Sequence, residues 1–190
     1  MKPLQDVNLG EGLSLKLGQA IAVAAAAPDH CLSKHGAKTW FCVEPAVWPT
    51  DLQGIFQVGS ALYSGSKAIV RYDEGRAGHI HALFPSREFP TIVSTFERRF
   101  GPPTDREDAS MAVVGEPTKT NPVVRWKSLN SATNAVEVIE LRTFDDLRGM
   151  IPDTEYGVIR YYRSDSQTAV VHLTTADLML LRSRKDAAAE

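Results

Sequence analysis

The chain has 190 residues, of which 43% are hydrophobic and 23% charged, and its formal net charge at pH 7 is -2. These values exclude a wholly disordered chain and fit a globular protein with one large domain or two small ones. Nucleic-acid-binding proteins usually carry a basic stripe, which is absent here, and no apolar stretch reaches the length of a membrane span. We therefore expect neither a nucleic-acid partner nor an integral membrane segment.

The first predicted helix is rich in alanine, isoleucine and valine, runs from Gly18 to Ala27 and stops at Pro28. Its small apolar residues are similar to a signal-peptide core, but Asp6 and Lys16 lie where such a core is uncharged. An alanine-rich helix explains the segment better. If the protein is exported, its signal peptide is absent from this chain.

The only two cysteines, Cys31 and Cys42, follow this helix. Their spacing excludes a C-x-x-C redox motif and leaves three states open: a disulfide, a zinc site completed by His30 and His35, or two free thiols. A disulfide is favoured, and it would fasten the helix to the next strand and stabilise the fold by about 3 kcal/mol. The favoured compartment is therefore oxidising, and a cytoplasmic protein with reduced thiols is the alternative.

The rest of the first half predicts strands followed by a helix. Residues 39–45 are rich in β-forming residues, and 54–84 divide into three strands at the turn signals "SGS" and "DEGRAG". Phe89, Ile92, Val93 and Phe96 then recur at helical spacing and predict a helix that follows Ser86, its predicted N-cap, and ends at Gly101 before two prolines.

The second half predicts a linker and then further strands. Residues 101–122, rich in proline, acid and threonine, are typical of a linker. The predicted elements after it are strands at 123–129, 134–144, 157–163 and 168–173, and a short terminal helix at 175–185.

In each half of the chain a predicted helix is thus followed by antiparallel strands. Each helix needs a sheet against which its apolar face can be buried. The predicted fold class is α+β, with two helix-plus-antiparallel-sheet halves in a two-layer α/β sandwich. The predicted boundary separates 1–100 from 101–190, and one continuous domain over 1–190 is the alternative.

The segment "LSLKLGQAIAVAAAAPDHC…WFC" has an extended lead-in, a helix, a cysteine and a second cysteine in the next strand. This order resembles small exported helix-on-sheet modules of the outer-membrane assembly lipoprotein (BamE/SmpA) and β-lactamase-inhibitor-protein kind. The stretch "FPTIVSTFERRFGPPT…RW…VEVIEL…GVIRYY" resembles the helix, turn and strands of the same proteins. The resemblance implies a non-catalytic role in binding another protein, and it transfers no binding residue.

The best candidate for chemistry is "GHIHALFPSRE", where His79 and His81 lie two apart on a predicted strand and share a face. With Glu88 as a third ligand they could hold a metal ion, and His172 could join only through the fold. The alternative is that both histidines lie on the solvated face of the strand, opposite Ile80. No G-x-S-x-G, G-x-G-x-x-G or Walker-type motif is present, so we expect no cofactor.

Three aromatic residues are candidates for partner binding. Trp48 lies in the proline-flanked stretch "EPAVWPTD", and a rigid aromatic side chain on a loop is a reasonable interface anchor. Tyr161 and Tyr162 lie on a predicted strand whose face could meet a partner. The alternative is that these rings belong to the core.

These observations favour a non-catalytic accessory or adaptor protein, periplasmic or otherwise exported, that binds a protein partner in a cell-envelope complex. The alternative function is a small metal-dependent enzyme or metal-binding protein that uses His79 and His81.

Overall fold

The structure, a computed structural model, describes residues 9–10, 13–21, 31–34, 38–113, 115–131, 133–146, 152–167, 173–174, 176–177 and 179–181. The strands in these residues are β1 (Cys31–Lys34), β2 (Thr39–Pro45), β3 (Gln57–Gly59), β4 (Ser64–Asp73), β5 (Arg76–Pro85), β6 (Asp105–Met111), β7 (Lys119–Asn130), β8 (Ala135–Arg142) and β9 (Tyr156–Arg163). A 3₁₀ turn at Ser86–Glu88 leads into helix α1 (Phe89–Phe100).

All nine strands belong to one sheet in the order β1-β2-β4-β5-β9-β8-β7-β6, and β3 extends it by pairing with β4. The pairs are antiparallel. β5 and β9 pair from His79 with Tyr162 to Pro85 with Tyr156. This central pairing joins the strands of the first half of the chain to those of the second.

The predicted fold class is therefore wrong: the strands form one sheet and not two helix-plus-sheet halves. The reason lies in β5 and β9, whose central residues are buried on both faces. A strand that is buried on both faces needs a neighbour along each edge to satisfy its backbone hydrogen bonds. Each half supplies one such strand, and the two satisfy each other.

One face of the sheet, the helix face, is covered by α1 and the N-terminal segment. Ile92, Val93 and Phe96 of α1 pack in the same core as Ile139 and Tyr161. The ring of Phe96 meets Trp126 edge-on at 5.7 Å between centroids. Burial of this apolar face is what stabilises a helix of 12 residues, which is marginal in isolation.

The α1 prediction is confirmed except at its start. Gly101 follows the helix with a φ of 75°, a conformation that glycine adopts readily. The predicted N-cap, Ser86, is wrong: it begins the 3₁₀ turn, its hydroxyl donates to the Thr154 carbonyl, and Glu88 takes the N-cap position.

The opposite face, which we call the polar face, combines an apolar patch with buried charges. The patch contains Phe41, Ile69, Leu83 and Val158, with Leu181 of the C-terminal segment packed on it. Buried arginine, histidine and glutamate side chains lie on the same face: Arg71, His79, His81, Glu140 and Arg160. Because buried ionisable side chains often form functional sites, the polar face is the candidate location of one.

Two element predictions fail on the described residues. Gly18 begins no helix: its N–H donates to the Ala77 carbonyl, and Ala20 forms a bridge with Arg76. Residues 22–27 of that predicted helix lie outside the described residues. Residues 168–172 of the strand predicted at 168–173 also lie outside them. The predicted linker over 101–122 contains β6 and the start of β7. β6 was predicted as part of a linker because it is rich in charged residues. An exposed edge strand lacks the apolar alternation by which a core strand is recognised.

Candidate functional site

The predicted disulfide is confirmed. Cys31 and Cys42 are bonded and fully buried, and they are directly opposed in the register of β1 and β2. The bond therefore joins two neighbouring strands, and the expectation that it would join a helix to a strand is wrong. It anchors β1, a strand of only four residues at the end of the sheet.

Trp48 lies in the core beneath the helix face. Its side chain is 4% exposed and stacks on Phe56 with ring centroids 3.7 Å apart. The ring covers the core, so the structure does not place it on an open loop surface. Its role in partner binding stays a prediction, and the exposed neighbour at this loop is Val47.

Tyr161 and Tyr162 lie on opposite faces, since they are consecutive in β9. Tyr161 packs in the helix-face core, and its hydroxyl donates to Glu137 Oε2 at 2.5 Å. Burial and this hydrogen bond raise the pKa of Tyr161. Tyr162 is half-buried on the polar face, where its ring stacks on His79 with 5.1 Å between centroids. The two tyrosines therefore cannot form one contact surface.

A row of charged residues crosses the polar face of the sheet. Strand register places His81, Arg160, Glu140, Arg125 and Asp105 side by side on β5, β9, β8, β7 and β6. Directly opposed residues of neighbouring strands share a face and lie close enough for their side chains to interact. From Arg160 to Asp105 these side chains form one continuous ionic network across four strands.

Glu140 is the centre of this network. Its carboxylate accepts Nε of Arg125 at 2.6 Å and Nε of Arg142 at 2.7 Å, and Nη2 of Arg160 donates to the same group. Burial would raise the pKa of Glu140, but the charges of Arg160 and Arg142 outweigh it and lower that pKa to about 2. Glu140 is thus a fixed anion at neutral pH.

Two of the three arginines also form ion pairs with carboxylates other than Glu140. Arg125 Nη1 contacts Asp105 and Glu107 at 2.8 Å each, and Arg142 Nη1 contacts Asp146 at 3.0 Å. Arg160 makes its single ion pair of the described residues with Glu140, and its guanidinium carbon lies 5.1 Å from the Tyr162 ring centroid. The positive charge of Arg160 is therefore the least balanced of the three.

His79 and His81 are both 1% exposed, so the interpretation that places them on a solvated face is wrong. The prediction that they share a face is confirmed by the register, which pairs His79 with Tyr162 and His81 with Arg160. Burial, together with the charges of Arg160 and His81, lowers the pKa of His79 to about 2. His79 is therefore a neutral side chain in a positive environment.

The predicted metal ligands are not brought together. Glu88 lies in the 3₁₀ turn beyond the other end of β5, with its Oε1 3.5 Å from Nε of the exposed Arg87. Asp145 is the acid nearest to His81, with 3.7 Å between its Oδ2 and the ring Nε2. Within the described part of the chain, no three His, Cys, Asp or Glu side chains are grouped to hold a metal ion. His172 lies outside the described residues.

An open groove of about 540 Å³ lies at that same end of β5, far along the strand from His79. It is lined by the three residues of β3, by Ser86 and Arg87, and by Tyr156 at the start of β9. The Tyr156 hydroxyl donates across it to the Gly59 carbonyl at 2.9 Å. The groove is polar and does not adjoin the ionic network.

The sequence interpretation missed Glu140 and its arginines. Their signal is a charged residue at every second position of otherwise apolar strands, as in Glu140 and Arg142 of β8. Such spacing places both charges on one face, but it does not tell which strands become neighbours. The network needs β7, β8 and β9 to be neighbours in this register, which only the sheet shows.

Comparison with known proteins identifies no relative of this chain. No family model, no curated protein and no solved structure matches this chain. The resemblance to exported helix-on-sheet modules therefore stays a prediction. Among the described residues, no helix is long and apolar enough to cross a membrane.

Proposed function

We propose that the chain is a non-catalytic accessory protein of the cell envelope, or of another oxidising compartment, that binds a protein partner along the outer edge of β6. The buried disulfide supports the compartment, because such bonds persist mainly in exported proteins. The free edge of β6 is the observation that carries the binding role.

β6 ends the sheet on the side of the second half of the chain. One of its edges pairs with β7 over the whole strand, from Asp105 to Met111. Within the described residues no strand pairs with its other edge. An edge strand of seven residues presents alternate N–H and C=O groups outward, and an extended peptide can pair with them.

The charges along this edge select the partner. Asp105 and Glu107 contact Arg125, and Arg106 contacts Glu97 of α1. Asp108 is exposed and has no ion-pair partner among the described residues. A partner strand with lysine or arginine opposite Asp108 fits this edge, whereas the charges discourage pairing with an arbitrary hydrophobic strand.

Site-specific photo-crosslinking in the native host tests the surface. A photoreactive amino acid at Ser110, exposed on β6, should give one discrete adduct with a protein partner. The same group at Asp165, exposed beyond the end of β9, is the control and should give none. Equal labelling at both positions, or no adduct at Ser110, would contradict the proposal.

Charge reversal tests the chemistry of the partner. Asp108→Lys replaces an attraction by a repulsion, each of about 0.2–1 kcal/mol across a strand pair, so affinity for the crosslinked partner should fall roughly 2-fold to 30-fold. Asp165→Lys, with the same change of charge, should leave affinity unchanged. A partner that binds both variants as tightly as wild type does not use this edge.

The compartment is tested separately. Protein taken from the native host is alkylated without reductant, and its intact mass is recorded. A mass two hydrogens below the reduced chain, with no alkyl group, is the expected result for the Cys31–Cys42 bond. Two added alkyl groups would mean free thiols, and the envelope assignment would fail.

A further inference from the structure

Unpartnered buried polar atoms concentrate at one place on the polar face. Five buried side-chain nitrogens of the described residues have no hydrogen-bond partner. Four of them belong to His79, His81 and Arg160, and the fifth is Nε1 of Trp48 on the other side of the sheet. Buried polar atoms are nearly always satisfied in native proteins, so such a concentration indicates a missing partner.

The three residues form one cluster. His81 and Arg160 are directly opposed on β5 and β9, and His79 follows one pleat away on the same face, opposite Tyr162. The Tyr162 ring stacks on His79 and lies beneath the guanidinium group of Arg160. Packing therefore holds the side chains in place whether or not their nitrogens are bonded.

The charge of the cluster determines the sign of the missing partner. Among the described residues Arg160 has one carboxylate partner, Glu140, which it shares with Arg125 and Arg142. Arg71 approaches from β4, opposite His79, and its own acid, Asp73, is 40% exposed. Asp145 Oδ2 lies 3.7 Å from His81 Nε2, so the unpartnered nitrogens away from an acid are those of the neutral His79 ring and Arg160 Nε, and both groups can donate an N–H.

We infer that His79 and Arg160, beside His81, bind a small inorganic anion, of the size of chloride or bromide, which accepts hydrogen bonds from Arg160 Nε and a His79 N–H. The cluster is nine-tenths or more buried, so the ion has to be small. A cation would be repelled by Arg160 and Arg71. This inference is independent of the partner proposed for β6.

Bromide locates the site directly. Crystals of the wild-type chain grown in sodium bromide should show an anomalous peak within hydrogen-bonding distance of Arg160 Nε and of a His79 ring nitrogen. An ordered water at this position, with bromide only on the outer surface, would overturn the inference. This test uses no variant and so does not depend on how a substitution folds.

Thermal unfolding in solution supplies the functional readout. Bromide replaces gluconate at constant ionic strength, and a bound ion should raise the melting temperature by roughly 5–11 °C at a hundredfold excess over its dissociation constant. His79→Phe keeps a ring against Tyr162 but removes two of the unpartnered nitrogens, and it should lose most of this shift.

Trp48→Phe is the matched control, because it removes the fifth unpartnered nitrogen from outside the cluster. It should keep the full bromide-dependent shift. If His79→Phe and Trp48→Phe respond to bromide as wild type does, the ion acts elsewhere and the assignment is wrong.

Discussion

Glu140 shows how a residue that looks unremarkable in the sequence becomes central in the fold. It lies in an apolar strand and is 1% exposed, yet three arginine side chains from three strands contact its carboxylate. A buried ion pair seldom adds much net stability, because desolvation opposes the attraction. Removing one partner is costly, however, since the other charge is then left buried and alone.

The pH dependence of folding should report this carboxylate. Folding lowers the pKa of Glu140 from 4.5 to about 2, so between these values the unfolded chain binds a proton that the folded chain lacks. The stability contributed by Glu140 is complete above pH 4.5 and is lost as the pH falls toward 2, by about 3 kcal/mol at most. Urea unfolding between pH 2.5 and 6 measures the slope.

Glu140→Gln is the matched variant for this measurement. It should be less stable at pH 7 by about 3–5 kcal/mol, because three guanidinium groups lose their shared anion. Its free energy of unfolding should also depend less on pH below 4.5 than that of wild type. Parallel pH profiles for the two proteins would show that Glu140 does not titrate as described.

Gly157 is a residue where a single methyl group should matter. A Cβ at this position of β9 would lie 2.4 Å from Phe84 Cε2 and 2.7 Å from the Arg142 carbonyl oxygen. Overpacking of this kind costs about 1–3 kcal/mol, so Gly157→Ala should lower the free energy of unfolding by that amount. Gly59→Ala in β3, where nothing lies within 4 Å, is the control. Equal losses in both would mean that crowding is not the cause.

At the scale of elements, the two end strands of the sheet, β1 and β6, differ in length and in the contacts that hold them. β1 is short and is tied to β2 by the disulfide, and Lys34 at its end contacts Asp177 at 2.5 Å. β6 is longer and carries exposed charges along its free edge. Among the described residues no strand pairs with the outer edge of either one, so the disulfide of β1 and the charges of β6 are what distinguish the two ends.

The contribution of the β1 arrangement can be measured. The double variant Cys31→Ala and Cys42→Ala should lose about 3 kcal/mol of stability, because the bond restricts a short loop of the unfolded chain. Hydrogen exchange should increase most in β1 and at its partners in β2. If exchange rises equally in β6 and β7, the bond does not act locally and this account is wrong.

At the scale of the whole molecule, the pairing of β5 with β9 makes the two halves of the chain interdependent. Each of these strands is buried on both faces, and each would expose an unpaired apolar edge without the other. We therefore expect one cooperative unfolding transition, as most single domains of this size show.

The three tryptophans allow this to be measured. Trp40 and Trp48 lie in the first half and Trp126 in the second, so ¹⁹F NMR of protein labelled with 5-fluorotryptophan observes each half separately. All three native resonances should disappear at one urea midpoint, together with the far-ultraviolet circular dichroism. Separate midpoints for Trp126 and for the other two would show that the halves unfold independently.

Local patterns predicted the local elements. The spacing of Phe89, Ile92, Val93 and Phe96 predicted α1, and β-branched and aromatic residues predicted most of the strands. The two cysteines also predicted their bond. These predictions succeeded because helix period, strand alternation and turn residues act over a few positions of the chain.

Tertiary structure alone decided which strands are neighbours, and with them the site. The sequence shows that His79, Glu140 and Arg160 each lie in a strand, but a sheet of nine strands admits many orders. Burial of β5 and β9 on both faces is satisfied when they pair with each other, and that pairing places the two histidines beside Arg160. Strand order depends on contacts between residues far apart in the chain, which no local pattern encodes.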